Sequence, residues 1–140
     1  MHTINASDIV KYQDIQKMCN MAWKVRKNAF ISPTGKTKVG AVVYNKDEES
    51  MFPGCNIQHR YRTPDVHAEA NAISTLVASG LKTFHIILVV AEREKFTPCG
   101  GCMDWIMEIG GPTTQVMFQG ELNGNICVYT AEELMPHYPK

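Results

Sequence analysis

Residues 115–130 read Gln115-Val116-Met117-Phe118-Gln119, Gly120-Glu121-Leu122-Asn123-Gly124, Asn125-Ile126-Cys127-Val128-Tyr129-Thr130. Two short runs rich in β-branched and aromatic residues flank five residues with glycine at both ends, the pattern of two strands and a turn. A connection between parallel strands needs roughly a dozen residues. Five are too few, so this pair is antiparallel.

Working outward, Ala131 to Leu134 is expected to form a terminal helical turn. Upstream, Pro98 opens a helix that runs to about Ile109 and stops at Gly110-Gly111-Pro112. Phe84 to Ala91 is almost wholly apolar, as suits a strand covered on both faces. Pro64 precedes a helical segment from Val66 to Ala78, with Gly80 placed to end it. Met51 to Ile57 reads as a weaker strand, interrupted by Pro53 and Gly54, where an edge or bulge is expected. Val39 to Tyr44 is another strand. Ser7 is placed to cap a first helix, in which Ile9, Tyr12, Ile15, Cys19, Ala22 and Trp23 recur at helical spacing up to about Lys27. The order is α-β-β-α-β-α-β-β. Its two helical crossovers imply parallel neighbours in one sheet.

The chain has 140 residues, the size of a single domain, here 1–140. Its 14 basic and 14 acidic residues give no net charge, which argues against a dedicated duplex-nucleic-acid binder. The neutrality is uneven. Seven bases and no acid lie between Ile15 and Lys46, whereas five acids and only Lys140 follow Gly101. Such a layout attracts an anionic ligand, docks a second subunit or simply faces solvent. Asp8, Lys11, Asp14 and Lys17 interrupt the first twenty residues, so no signal-peptide core is visible there. No apolar run approaches the ~20 residues of a membrane helix, and the expected location is cytoplasmic. Five cysteines form a poor disulfide framework. Cys19, Cys55 and Cys127 sit in apolar surroundings and are expected in the core.

Cys99 and Cys102 are different. Pro98-Cys99-Gly100-Gly101-Cys102 places two thiols at i, i+3 in a helix's first turn, where both can reach one metal ion. His67-Ala68-Glu69 sits likewise at a helix start. His67, Cys99 and Cys102 leave the fourth position of a tetrahedral Zn²⁺ open to water, the arrangement of a catalytic site. Glu69 need not be a ligand and is free to move protons. His-x-Glu followed by Pro-Cys-x-x-Cys is the zinc-deaminase signature.

With these residues, the chain resembles the cytidine deaminase superfamily, small nucleoside-type branch, which includes cytidine deaminases and blasticidin S deaminases. Val39-Gly40-Ala41, Gly54-Cys55-Asn56-Ile57, the His-Ala-Glu helix, Thr97-Pro98-Cys99-Gly100-Gly101-Cys102 and Glu133-Leu134-Met135-Pro136 carry the resemblance over nearly the whole chain. The antiparallel last pair is similar to that branch; polynucleotide-editing relatives usually run these strands parallel. The resemblance implies a three-layer α/β/α fold with a five-stranded mixed sheet. It implies zinc on His67, Cys99 and Cys102, with Glu69 as the proton carrier in hydrolytic deamination of a cytosine-type nucleoside. Ala68 and Thr97 would touch the ring through their backbones, and Asn56 the ribose. It also implies a homotetramer, with the tail from Pro136 to Pro139 reaching a neighbouring subunit and Trp105, Ile106 and Ile109 as candidate packing residues.

Several positions depart from the family pattern. Gln58 stands where cytidine deaminases often carry a carboxylate that grips the sugar. The first ligand is histidine rather than cysteine, and Ala70 replaces the arginine that follows the glutamate in many relatives. These changes are coupled, because two thiolates and a neutral imidazole balance Zn²⁺ without an arginine. Met103-Asp104 replaces Arg-Gln, and Thr37 occupies an expected aromatic position, with Phe30 further upstream. Substrates other than ordinary cytidine are therefore in view, among them blasticidin S and other modified cytosines. A nucleotide or single-stranded polynucleotide held by the basic stretch Lys24–Lys38, and a non-catalytic zinc-binding module, are the competing readings.

Overall fold

The apolar run predicted as a doubly covered strand forms one over Ile86–Val90, with all five residues buried. In the computed structural model, which describes residues 1–62 and 64–139, the elements follow in chain order. They are β1 (His2–Ile4), a 3₁₀ segment (Ala6–Lys11), α1 (Gln13–Arg26), β2 (Phe30–Ile31), β3 (Gly40–Asn45), β4 (Ser50–Cys55) and β5 (Ile57–Gln58). Then come α2 (Ala68–Ala78), β6 (Ile86–Val90), α3 (Gly100–Trp105), a π-helical turn (Ile106–Gly110), β7 (Gln115–Gln119), β8 (Ile126–Thr130) and α4 (Ala131–Leu134).

Six strands form one mixed sheet in the order β1-β8-β7-β6-β3-β4, and β2 pairs with β5 separately. Alternation along β6 sends Ile87 and Val89 to one face and Ile86, Leu88 and Val90 to the other. The first face packs beneath Ala72, Ile73 and Leu76 of α2 and Met103 of α3. The second packs beneath Met18, Ala22 and Trp23 of α1. These are the three expected layers. The last two strands pair antiparallel, with Gln119 opposite Ile126. Their turn is tied by Gln119, whose buried side chain accepts from Trp23 Nε1 at 2.6 Å and donates to the Gly124 carbonyl at 2.8 Å.

Several expectations need correction. The sheet has six strands, not five, because β1 pairs antiparallel with β8 at the edge. Three residues carry too little periodicity to declare themselves, and it is the free edge of β8 that makes them a strand. Only the crossover through α3 joins parallel neighbours, β6 and β7. β3 lies between β4 and β6 and is antiparallel to both. Ser7 does not cap the long helix, since a turn at Tyr12 separates the 3₁₀ segment from α1. Finally, Val66 is not helical. It forms an antiparallel bridge with Ile57, and α2 begins at Ala68. Gly80 does end α2 with positive φ, and β4 is an edge strand as Pro53 required. Of the three core cysteines expected, Cys19 is buried, whereas Cys55 and Cys127 are half-buried.

Candidate active site

The sheet register brings the two motifs together. Gly40, at the start of β3, pairs with Cys55 on one side and Val90 on the other. The chain therefore leaves β4 and β6 at the same edge of the sheet, and the segments leading to α2 and α3 meet above it. On the first path, Ile57 and Val66 exchange both backbone hydrogen bonds, at 2.8 and 3.0 Å. That bridge holds His67 extended as the N-cap of α2, with Ala68 and Glu69 in the first turn. Gly54 allows α2 to lie this close: a Cβ there would stand 2.3 Å from the Ala72 nitrogen and 2.7 Å from the Ala68 oxygen. On the second path, Cys99 is the N-cap of α3, and its carbonyl accepts from Met103 N at 2.8 Å.

His67 Nδ1 lies 3.3 Å from Cys99 Sγ and 3.3 Å from Cys102 Sγ. All three atoms fall within 4.8 Å of one another. Tetrahedral bonds of about 2.0–2.3 Å to nitrogen and sulfur would separate such donors by about 3.5–3.8 Å, so one imidazole and two thiols here fit a zinc ion. Glu69, 3% exposed, sits beside this cluster. Burial holds its carboxyl above the usual carboxylate range, opposed by its own backbone amide, His67 and the Cys102 thiol. A carboxyl whose pKa is raised holds an accepted proton more readily and can pass it on.

The cluster forms one wall of a cleft of about 490 Å³ that opens to solvent. Asn56, Gln58, Ala68 and Thr97 line it together with His67, Glu69 and Cys99, while Cys102 lies behind the wall. The structure thus gathers all eight residues singled out in the sequence. Two of them also have structural work. Asn56 accepts from Val39 N and donates to Thr37 O, both at 2.8 Å. Gln58 accepts from Lys36 N at 2.8 Å, and its side chain passes so close to Gly35 that a Cβ there would lie 2.4 Å from its oxygen.

The family comparison agrees with this geometry. Residues 12–119 match the family model described as the cytidine and deoxycytidylate deaminase zinc-binding region. The chain belongs to that family. It is accordingly an enzyme of the zinc-dependent deaminase class. A cytidine deaminase from Sporosarcina psychrophila is 31% identical over 124 residues, which are 88% of this chain and 89% of that one. A cytidine deaminase from Halalkalibacterium halodurans is also 31% identical, over 88% of this chain and 92% of its own length. Among solved structures, cytidine deaminase from Burkholderia pseudomallei superposes with a TM-score of 0.77 at 29% identity, covering 87% of this chain and 96% of that one.

Within this deaminase frame the cleft contains residues that sequence reasoning missed. Phe96 supplies an aromatic wall, braced against Phe118 at a centroid distance of 5.1 Å. Phe30, considered for that role, is exposed and does not line the cleft. Arg93 and Lys95 face the cleft too. They lie in Glu92-Arg93-Glu94-Lys95, where alternating charges cancel along the sequence and hide what the fold separates. Of the basic stretch Lys24–Lys38, only Lys36 lines the cleft. Arg26 is turned elsewhere, bonding the Lys38 carbonyl and pairing with Glu92 at 3.8 Å.

Proposed function

We propose that this deaminase hydrolyses the exocyclic amine of a cytosine-type nucleoside, giving the uridine-type product and ammonia. The observation that carries this reading is the placement of buried Glu69 beside the His67, Cys99 and Cys102 donors at a cleft wall. These three residues would hold Zn²⁺, which when bound supplies Lewis-acid activation of water.

Glu69 takes a proton from the attacking water and delivers it to the ring nitrogen. The oxygen adds to the amino-bearing carbon, giving a tetrahedral carbon. Glu69 then moves the second water proton to the amine, which leaves as ammonia while the carbon–oxygen double bond forms. One water is consumed and Glu69 ends as it began. Ala68 and Thr97 border the ring position, and Asn56 and Gln58 the sugar position. Phe96 offers an apolar surface to the base.

The cytidine deaminase names of the relatives support the cytosine-type substrate. Zinc-loaded protein incubated with cytidine, deoxycytidine and blasticidin S is expected to release ammonia from at least one of them. No turnover of any would remove the proposal.

A homotetramer accords with the resemblance. Trp105 is 43% exposed and stands with Val77 along a groove between α2 and α3, a surface suited to packing against a second copy. Ile106, by contrast, is core. No helix among the described residues is long and apolar enough to cross a membrane, and a small-molecule hydrolase of this kind suits the cytoplasm.

A further inference from the structure

The cleft wall that carries Lys36 and Thr37 has no strand or helix of its own: residues 32–39 lie between β2 and β3, outside any ladder. Backbone polar groups in such a segment need partners from elsewhere. Here three successive residues find them in side chains. Lys36 N donates to Gln58 Oε1 at 2.8 Å, Thr37 O accepts from Asn56 Nδ2 at 2.8 Å, and Lys38 O accepts from Arg26 Nε at 3.0 Å. Val39 N closes the series on Asn56 Oδ1 at 2.8 Å. Asn56 and Gln58 hold the segment from within the cleft. Arg26 holds it from behind, because it ends α1, packed on the opposite face of the sheet from α2, and does not line the cleft.

Arg26 is itself firmly placed. Its side chain is 18% exposed, and its guanidinium lies 5.3 Å from the centre of the Trp23 ring. Trp23 Nε1 donates to Gln119 Oε1 at 2.6 Å. Gln119, 1% exposed, ends β7, and its carbonyl accepts from Ala91 N at 3.3 Å, where the opposite cleft wall leaves β6. Gly40 lets α1 come this close, since a Cβ there would stand 2.3 Å from the Ala22 oxygen and 3.0 Å from Arg26 Cβ. Arg26 Nη1 also approaches Glu92 Oε1 at 3.8 Å, a long pair with an exposed carboxylate that adds little.

A line of contacts thus runs from the Lys38 carbonyl through Arg26, Trp23 and Gln119 to the far wall. Arginine suits the first link, because its planar fork can stack on a ring and donate sideways at once. Arg26 bonds neither Glu69 nor any of the three metal donors.

We infer that Arg26 is a positioning residue for the deamination: from behind the sheet it sets the Lys36–Thr37 wall against the wall leaving β6, and so fixes how tightly the non-reacting part of the substrate is held. The inference rests on the deaminase reading above and gives a role in it to a residue outside the cleft. Proton transfer by Glu69 takes place on α2, across the sheet. Loss of Arg26 should therefore weaken binding of ground state and transition state alike, which raises KM and spares kcat.

The test compares zinc-loaded wild type, Arg26→Gln and Arg26→Lys on cytidine, deoxycytidine and blasticidin S by ammonia release, with metal content and amide hydrogen exchange measured alongside. In Arg26→Gln, KM is expected to rise about tenfold with kcat within about twofold of wild type and zinc stoichiometry unchanged. The Lys36 and Val39 amides should exchange about tenfold faster, while those of β6 keep their wild-type rates. Arg26→Lys should recover part of the KM, since an ammonium still reaches the Lys38 carbonyl but lacks the stacked fork. A KM within about twofold of wild type in Arg26→Gln would overturn the inference. So would a kcat that falls as steeply as kcat/KM, or exchange that quickens in β6 as much as at Lys36 and Val39, the mark of a general stabiliser. Should glutamine prevent folding, Arg26→Lys read in the same way decides. Turnover of none of the three by wild type would sink the deaminase reading itself, and the exchange rates would then still decide whether Arg26 holds the wall.

Discussion

Asn56 Oδ1 accepts a hydrogen bond from the backbone amide of Val39 at 2.8 Å, with both residues buried. The same side chain donates to the Thr37 carbonyl at 2.8 Å. One residue of the cleft wall therefore fixes the segment that carries Lys36 and Thr37 into the site. Asn56→Ala would leave the Val39 amide without its partner and lose both bonds. The expected cost is about 2–4 kcal/mol, read as a lower midpoint of urea unfolding. Asn56→Asp keeps the acceptor but not the donor, and should fall between wild type and alanine.

Among the described residues, Glu69 is the only carboxyl lining the cleft. Glu69→Ala should retain metal at the wild-type stoichiometry, because three other side chains supply the ligands. Its kcat should drop by about 10²–10⁴, the usual contribution of positioned proton transfer. Metal analysis beside steady-state kinetics checks both halves. Loss of zinc with activity would show that Glu69 holds the ion.

Zinc bound by the folded chain and not by the unfolded chain adds stability by mass action. With free zinc at about a thousand times its Kd, the gain is about 4 kcal/mol. Treatment with a strong chelator should lower the thermal midpoint, and zinc should restore it. His67→Ala should bind zinc more weakly and lose most of that response. An unchanged midpoint on removing the metal would refute a cation held between α2 and α3.

Tyr138 donates to Asp104 Oδ1 at 2.5 Å, tying the tail to α3. Its pKa is pushed up from 10.0 to about 12, first by that hydrogen bond and then by burial and by the charges of Asp104 and Glu108. A phenol whose folded pKa is raised stabilises the fold fully below the unfolded value and loses that contribution as pH climbs through the folded one. Wild type should thus exceed Tyr138→Phe in stability below pH 10, with the gap closing between pH 10 and about 12. Paired denaturation curves across that window measure it, and a pH-independent gap would contradict the assignment.

Local rules carried much of this protein. Five residues between two strands can only turn back, so the antiparallel β7–β8 pair was legible from residue spacing alone. The doubly buried β6 announced itself by an unbroken apolar run, and Gly80 by the conformation a helix end demands. His67, Glu69, Cys99 and Cys102 were readable because metal ligation needs particular side chains at particular offsets within one helical turn.

Other features exist only in three dimensions. β1 is too short for a period and is a strand because β8 has an edge to offer. Val66 carries helical surroundings in sequence, yet its bridge to Ile57 makes it extended and so sets the angle of His67. The antiparallel placement of β3 between β4 and β6 brings two segments to one edge, so that His67 and Cys99 meet across 32 residues of sequence. The positive cleft follows from the same cause. Along the chain, Arg93 and Lys95 alternate with Glu92 and Glu94 and their charges cancel; in the folded protein only the cations share the cleft with Glu69. Sequence thus determined which chemistry is available, because reactivity resides in side-chain type and short spacing. Tertiary structure decided what that chemistry meets, because electrostatic fields sum over neighbours in space.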